Sequence, residues 1–171
     1  MWSRSTSRKL ISFASKRSHN TGYPVFFCMK KTWIISACLL GTPCRYDGKS
    51  CPFEIPDEWK DIELVPVCPE VLGGLPVPRT PSEIQEGKVY FKSGEDVTEF
   101  FRKGALKTLE IARKNHADAA VLKSKSPSCG YGRIYDGTFT GNLTEGKGIT
   151  AKRLEENGIR IISSEEFEKT K

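Results

Sequence analysis

Three cysteines in this chain each stand shortly after a short apolar run. The cysteines are Cys38, Cys68 and Cys129, and the runs before them are residues 33–37, 64–67 and 119–122. We expect the runs to be neighbouring parallel strands, so that the three thiols meet at the carboxyl edge of one sheet, where ligands bind in open α/β folds. Three thiolates without an obvious fourth ligand predict a soft metal centre with one coordination position open for substrate.

The spacing of the cysteines favours an iron–sulfur cluster over zinc. Structural zinc usually takes four ligands arranged as pairs two to four residues apart, and the sequence contains no such pair. Three scattered thiolates suit an iron–sulfur cube, in which one iron without a protein ligand acts as a Lewis acid toward a soft donor such as sulfur. Two alternatives remain open, a zinc-stabilised structural domain and a non-enzymatic iron–sulfur module.

Two further cysteines, Cys44 and Cys51, lie in the glycine- and proline-containing loop that follows Cys38. They are candidates for supplementary ligands, transient sulfur carriers or bystanders, and we favour bystanders. Disulfides are a weaker explanation, because clustered cysteines in a chain built like an intracellular α/β domain more often bind metals or act in catalysis.

Charged residues near the thiols are candidates for acid–base chemistry and substrate binding. Asp47 and Glu70 are the carboxylates closest in sequence, and a carboxylate beside a metal centre can activate water as a general base. The alternative is that Asp47 caps its own turn and Glu70 binds backbone amides. Four basic residues are candidates for a cavity mouth that binds an anionic or polar ring, although each alone would also suit a solvated surface. They are Arg45, Arg79, Lys123 and Arg133.

The elements that must position these residues alternate between strands and helices. This order predicts a single α/β domain over residues 29–171, with a mainly parallel sheet flanked by helices in a Rossmann-like or flavodoxin-like arrangement. Within the helix predicted over 97–115, Gly104 is expected to allow close packing on the sheet. The other predicted elements are strands at 33–37, 63–67, 119–122 and 159–162, a short helix at 56–59, a helix at 150–157, a final helix from Ser164, and a hairpin at 133–139 turning at Asp136-Gly137.

Residues 1–28 differ from the rest of the chain. They contain five basic residues and no acid, together with many serines, which is typical of an organelle transit peptide. The alternative is a mis-set start, with Met29 as the natural first residue. We expect the segment to be disordered. It predicts a mitochondrial matrix location if it is a genuine transit peptide, and a cytoplasmic location otherwise.

The charge balance argues against nucleic-acid binding. The whole chain has 27 basic and 21 acidic residues, and removing the five basic residues of the first 28 leaves 22 against 21. A nucleic-acid partner would require a basic face on the domain itself. No apolar run approaches the ~20 residues of a membrane-spanning helix. We therefore expect a small-molecule partner, while the oligomeric state is not predicted.

Seven ordered motifs together resemble a family long catalogued as domain of unknown function 523, which includes the bacterial thiouracil desulfidases. The resemblance spans about residues 31–167. The motifs are SACLLG at 36–41, RYDG at 45–48, VPVCPE at 65–70, GLPVPR at 74–79, DVT at 96–98, SPSCG at 126–130 and GRIYDG at 132–137.

The resemblance implies an activity and a cofactor. Family enzymes remove sulfur from thiolated pyrimidines such as 2-thiouracil, giving uracil and hydrosulfide without net redox change. They use an oxygen-sensitive [4Fe-4S] cluster held by three cysteines, which match the three cysteines named first. An acid and a serine assist, and by position these are Glu70 and either Ser126 or Ser128, with Asp47 as the alternate acid. The chain departs from the family pattern in its extra Cys44 and Cys51 and in its N-terminal extension.

Overall fold

The computed structural model describes residues 30–168. The expectation that residues 1–28 are disordered therefore lies outside the described residues. In chain order the elements are β1 (Thr32–Ser36), β2 (Glu63–Val67), α1 (Pro69–Gly73), β3 (Ser82–Gln85), β4 (Lys88–Phe91), α2 (Thr98–Lys114), β5 (Ala119–Leu122), β6 (Tyr131–Tyr135), β7 (Leu143–Lys147), α3 (Ile149–Glu155), β8 (Arg160–Ser163) and α4 (Glu165–Glu168), with short 3-10 helices at Ala37–Leu40 and Asp57–Trp59.

Within the described residues, the main sheet has four parallel strands in the order β2-β1-β5-β8. The predicted α/β fold with a parallel sheet and flanking helices is confirmed. Strand β1 lies between β2 and β5, so the carboxyl ends of these three strands are neighbours along one edge of the sheet. None of the helices in residues 30–168 combines the length and apolarity needed to cross a membrane.

The side chains of β1 alternate between two cores, as the two-residue period of a strand requires. Trp33 and Ile35 pack on one face with Trp59 and the partly buried Phe53 and Phe167. On the opposite face, a second core joins the sheet to α2 and α3. Its fully buried members include Ile34, Ala120, Leu122, Ala112 and Leu154.

Helix α2 packs against α1 so closely that the two backbones are in contact. A Cβ added to Gly104 would lie 2.0 Å from the carbonyl oxygen of Pro69, and one added to Gly73 would lie 2.1 Å from the carbonyl oxygen of Phe100. The expectation that Gly104 allows close packing on the sheet is therefore wrong, since the surface it meets is α1. This contact fixes the short helix that follows Cys68.

Two antiparallel hairpins, β3-β4 and β6-β7, form separate two-stranded sheets. The predicted turn at Asp136-Gly137 is wrong in extent. Strand β6 ends at Tyr135 and β7 begins at Leu143, so residues 136–142 form a longer loop. Side chains of β3 hold this loop. The periodicity of the sequence does not predict strand β3.

Candidate metal centre and active site

The three cysteines predicted as metal ligands line one cavity of about 430 Å³. Cys38 lies in the 3-10 helix directly after β1, Cys68 caps α1 directly after β2, and Cys129 ends the loop after β5. Cys38 and Cys129 are buried, and Cys68 is half-buried. The structure thus brings together three residues that are 30 to 91 positions apart in the chain.

Cys44 lines the same cavity, and its backbone carbonyl accepts a hydrogen bond from the Cys68 thiol at 3.6 Å. Its hydrogen bonds with Cys38 and Cys68 raise the pKa values of those two thiols far above the ordinary range. The same bonds hold the pKa of Cys44 below its usual value. Cys51 also hydrogen-bonds with Cys38, which lowers the pKa of Cys51. The two extra thiols are therefore immediate neighbours of the predicted ligands.

Three serines contact Cys129, two at its thiol and one at its backbone N–H. Burial raises the pKa of its thiol to about 12, although hydrogen bonds with the side chains of Ser36 and Ser128 act in the opposite direction. Its backbone N–H donates to the Ser126 hydroxyl at 3.1 Å. A buried thiol of this kind becomes a thiolate when a metal replaces its proton.

The donor set fits a cluster better than a single ion. Within the described part of the chain, no three His, Cys, Asp or Glu side chains converge closely enough to hold one metal ion. A structural zinc would need such a convergence, whereas the thiolates of an iron–sulfur cluster bind different irons and surround a larger volume. Sulfur donors around a cavity are also the ligands that clusters require.

Glu70 stands in the first turn of α1, and each of its carboxylate oxygens has a partner. The Arg79 guanidinium contacts Oε2 through both Nε and Nη2 at 2.8 Å. The Ser126 hydroxyl donates to Oε1 at 3.3 Å. The side chains of Arg79 and Glu70 are only 3% and 13% exposed, so this is a largely buried ion pair at the cavity wall. The sequence indicates Glu70 as a candidate site residue, but it does not predict the pairing with Arg79.

The two candidate serines lie in different places. Ser126 lines the cavity, and its oxygen also accepts the backbone N–H of Ser128 at 3.0 Å. Ser128 is fully buried, its hydroxyl bonds to Thr150 at 2.9 Å, and it is not among the cavity-lining residues within 30–168. Ser128 thus supports the cavity wall from behind.

The remaining predicted residues also form two groups, those that line the cavity and those that do not. Arg45 and Lys123 line the cavity, as does Arg79. Asp47 is not among the described cavity-lining residues, and its carboxylate accepts the Lys49 N–H at 3.1 Å and pairs with Arg45 at 3.4 Å. Arg133 is also outside that lining and pairs with Glu165 at 2.9 Å. The structure does not bring Asp47 or Arg133 to the cavity.

Several cavity residues were not anticipated from the sequence. They come from β3, the segment after β4, the loop before Ser126, and the β6-β7 hairpin. Short polar hairpins have no periodic sequence pattern that would predict their residues in the cavity wall. These residues are Glu83, Lys92, Lys125, Tyr135 and Phe139.

A family model described as 2-thiouracil desulfurase matches residues 34–166, which include every cavity residue named above. The chain belongs to the 2-thiouracil desulfurase family. The resemblance inferred from the sequence motifs is thereby confirmed. A curated family relative, the uncharacterized protein YbbK of Bacillus subtilis (strain 168), is 44% identical over 148 residues, covering 78% of this chain and 96% of YbbK.

A solved structure of the same kind is that of the [4Fe-4S]-dependent thiouracil desulfidase TudS. It is 42% identical to this chain, with a TM-score of 0.77, and the match covers 81% of this chain and 94% of that protein. Within the 2-thiouracil desulfurase family, the chain is therefore similar in sequence and fold to a protein described as using a cluster.

Proposed function

We propose that this protein is a [4Fe-4S]-dependent desulfidase that converts a thiolated pyrimidine such as 2-thiouracil into the oxo base. The overall step is a hydrolysis: the thiocarbonyl carbon gains oxygen from water, the carbon–sulfur bond breaks, and sulfur leaves as hydrosulfide with no net electron transfer. One observation carries the proposal, namely three cysteines around one cavity that also contains a carboxylate–hydroxyl pair. Family membership and the likeness to TudS support it.

We assign Cys38, Cys68 and Cys129 as the cluster ligands, because all three line the cavity at the ends of adjacent parallel strands. When bound there, the cluster supplies a Lewis-acidic iron without a protein ligand, which has affinity for the sulfur of the substrate. The protein contributes the arrangement of the thiols and the other side chains that line the cavity.

Glu70 acts as the general base in this proposal. Arg79 holds Oε2, so Oε1 remains directed toward Ser126 and the cavity. A water molecule at Oε1 would lose its proton to the carboxylate as its oxygen adds to the thiocarbonyl carbon. Ser126 orients that oxygen of Glu70 and simultaneously fixes the backbone of Cys129. Arg79 is a positioning residue, because its guanidinium contacts Glu70 and backbone carbonyls.

The cavity suits a small polar ring. Its volume of about 430 Å³ lies within the usual range of about 300–1,000 Å³ for small-molecule sites. Arg45 and Lys123 line it and are positioned to bind the oxygen or an ionised nitrogen of a pyrimidine. Ser128, Asp47 and Arg133 have no role in substrate chemistry in this proposal, since their side chains are engaged outside the described cavity lining.

The proposal is tested by anaerobic purification, followed by iron and sulfide analysis and an assay of several thiolated bases. We expect about four irons and four sulfides per chain and release of hydrosulfide from 2-thiouracil. Zinc without iron would favour the structural-domain alternative. A full cluster with no turnover of any thiolated base would favour the non-enzymatic module.

A further inference from the structure

Phe139 has an unusual backbone conformation at the edge of the cavity. Its φ is +57°, in the left-handed region that bulky side chains rarely adopt. The residue is half-buried and lines the cavity. Strained residues of this kind persist where the surrounding structure fixes them, and they are concentrated at functional sites. The proposed chemistry assigns Phe139 no role.

The loop that contains Phe139 is tied to β3 by a buried carboxylate. Oε2 of Glu83 accepts the backbone N–H of Gly137 at 2.9 Å and that of Phe139 at 3.0 Å. Gln85 adds a hydrogen bond from its side-chain amide to the carbonyl of Gly137. These bonds hold the backbone on both sides of Thr138, so the position of the Phe139 side chain is set from β3.

The loop also approaches β3 too closely for a side chain at Gly137. A Cβ there would lie 2.6 Å from the carbonyl oxygen of Ile84, and the φ of +90° at Gly137 is itself unfavourable for other residues. Two independent features, the Glu83 carboxylate and the close backbone contact, therefore direct Phe139 to the cavity.

We propose that Phe139 determines substrate specificity by stacking its ring on the face of a planar thiolated heterocycle. Glu83 is a positioning residue that acts through Phe139. This inference rests on the proposed function and deepens it, because it selects conjugated ring thiocarbonyls over small open-chain thioamides. A flat ring presents a π-face to an aromatic side chain, whereas an open-chain thioamide presents little area.

Phe139→Ala in the anaerobically prepared holoenzyme tests the stacking contact. We expect the KM for 2-thiouracil to rise about tenfold, with little change in kcat or iron content, because stacking contributes binding rather than proton transfer. The KM for thioacetamide should stay close to that of the wild type. Phe100→Ala is the matched control, since Phe100 is an exposed phenylalanine of α2 outside the described cavity lining.

The binding of uracil gives a readout that does not depend on turnover. The dissociation constant of uracil from the holoprotein, measured by titration calorimetry, should rise about tenfold in Phe139→Ala and be unchanged in Phe100→Ala. A second variant, Phe139→Gly, should lose the same affinity without a lower unfolding temperature than Phe139→Ala, because glycine adopts a positive φ without strain.

A double-mutant cycle tests the role of Glu83. Glu83→Ala removes both loop hydrogen bonds and should raise the KM for 2-thiouracil, whereas Glu83→Gln keeps an acceptor oxygen and should largely restore it. In the Phe139→Ala background, Glu83→Ala should add little further effect if it acts through the ring. Fully additive effects would contradict that part of the inference.

The two proposals fail in different ways. Wild-type protein that contains the full cluster but releases no hydrosulfide would contradict the proposed function. If that protein also fails to bind uracil, the specificity role of Phe139 is contradicted as well. An active wild type whose Phe139→Ala variant keeps its KM and uracil affinity overturns the specificity role alone. Equal losses for 2-thiouracil and thioacetamide would overturn it as well.

Discussion

Cys44 provides the sharpest test of the ligand assignment, because it shares the cavity and interacts with two of the three proposed ligands. Replacing Cys38, Cys68 or Cys129 with alanine should each abolish the iron centre. Cys44→Ala should retain iron close to the wild-type level. Iron content and visible absorbance of anaerobically purified variants measure this directly. Loss of the centre in Cys44→Ala, with retention in any of the other three variants, would require a different ligand set.

The ion pair between Glu70 and Arg79 predicts that catalysis and cluster retention can be separated. Glu70→Gln removes the proton acceptor and should lower kcat by about 10²–10⁴-fold while iron content is retained. Steady-state kinetics with parallel iron analysis measure both quantities. If Glu70→Gln keeps wild-type turnover, the general-base assignment is wrong.

Arg79 is expected to matter for stability as well. Arg79→Ala leaves a largely buried carboxylate unpaired, which typically costs about 3–5 kcal/mol, whereas Arg79→Lys keeps the charge but loses the two-pronged contact. The matched control is Arg102→Ala, since its pair with Glu99 is exposed and such pairs contribute at most about 1 kcal/mol. Denaturant unfolding of the variants compares the two pairs, and similar losses at both sites would contradict this account.

At the scale of elements, the contact between α1 and α2 links the stability of the fold to the site. Gly104→Ala would place a methyl group against the Pro69 carbonyl, so α1 must shift or α2 must bend. We expect destabilisation of about 1–3 kcal/mol or more, together with weaker cluster retention, because α1 begins at Cys68 and contains Glu70.

Lys107→Ala, at an exposed position of the same helix, is the control for this substitution. It should leave both the unfolding free energy and the iron content nearly unchanged. A Gly104→Ala variant as stable as this control would show that the two helices have more freedom than the packing indicates.

The strands that present the cysteines could be predicted from the sequence because each strand is identified by its own short run of residues. Short β-branched and apolar runs identify β1, β2, β5 and β8, and the cysteines follow three of them directly or within one loop. The helical spacing of apolar positions predicts a helix over 97–115, and helix α2 spans Thr98–Lys114.

The part of the cavity that the two hairpins line could not be predicted, for physical reasons. Strand β3 contains Glu83 and Gln85, polar residues whose role appears only when the β6-β7 loop docks on them. Asp136-Gly137 is a typical two-residue turn sequence, yet this docking draws residues 136–142 into a longer loop. The cavity position of Phe139 and the partners of Asp47 and Arg133 likewise depend on contacts between distant segments.

The molecule as a whole combines a parallel sheet that presents thiols with two hairpins that line the same cavity. The described domain is nearly neutral overall, yet basic residues collect at the cavity, among them Arg45, Lys92, Lys123 and Lys125. Such a distribution favours a polar or anionic small molecule over an extended polyanion. The proposed function therefore depends on one assembled site rather than on the general surface of the protein.

The stoichiometry of products from 2-thiouracil tests this account most directly. Anaerobically reconstituted wild-type protein should release uracil and hydrosulfide in equal amounts over many turnovers, without an added electron donor or acceptor. A fully loaded protein that releases neither product, or that requires a reductant to do so, would contradict the proposed non-redox desulfidase.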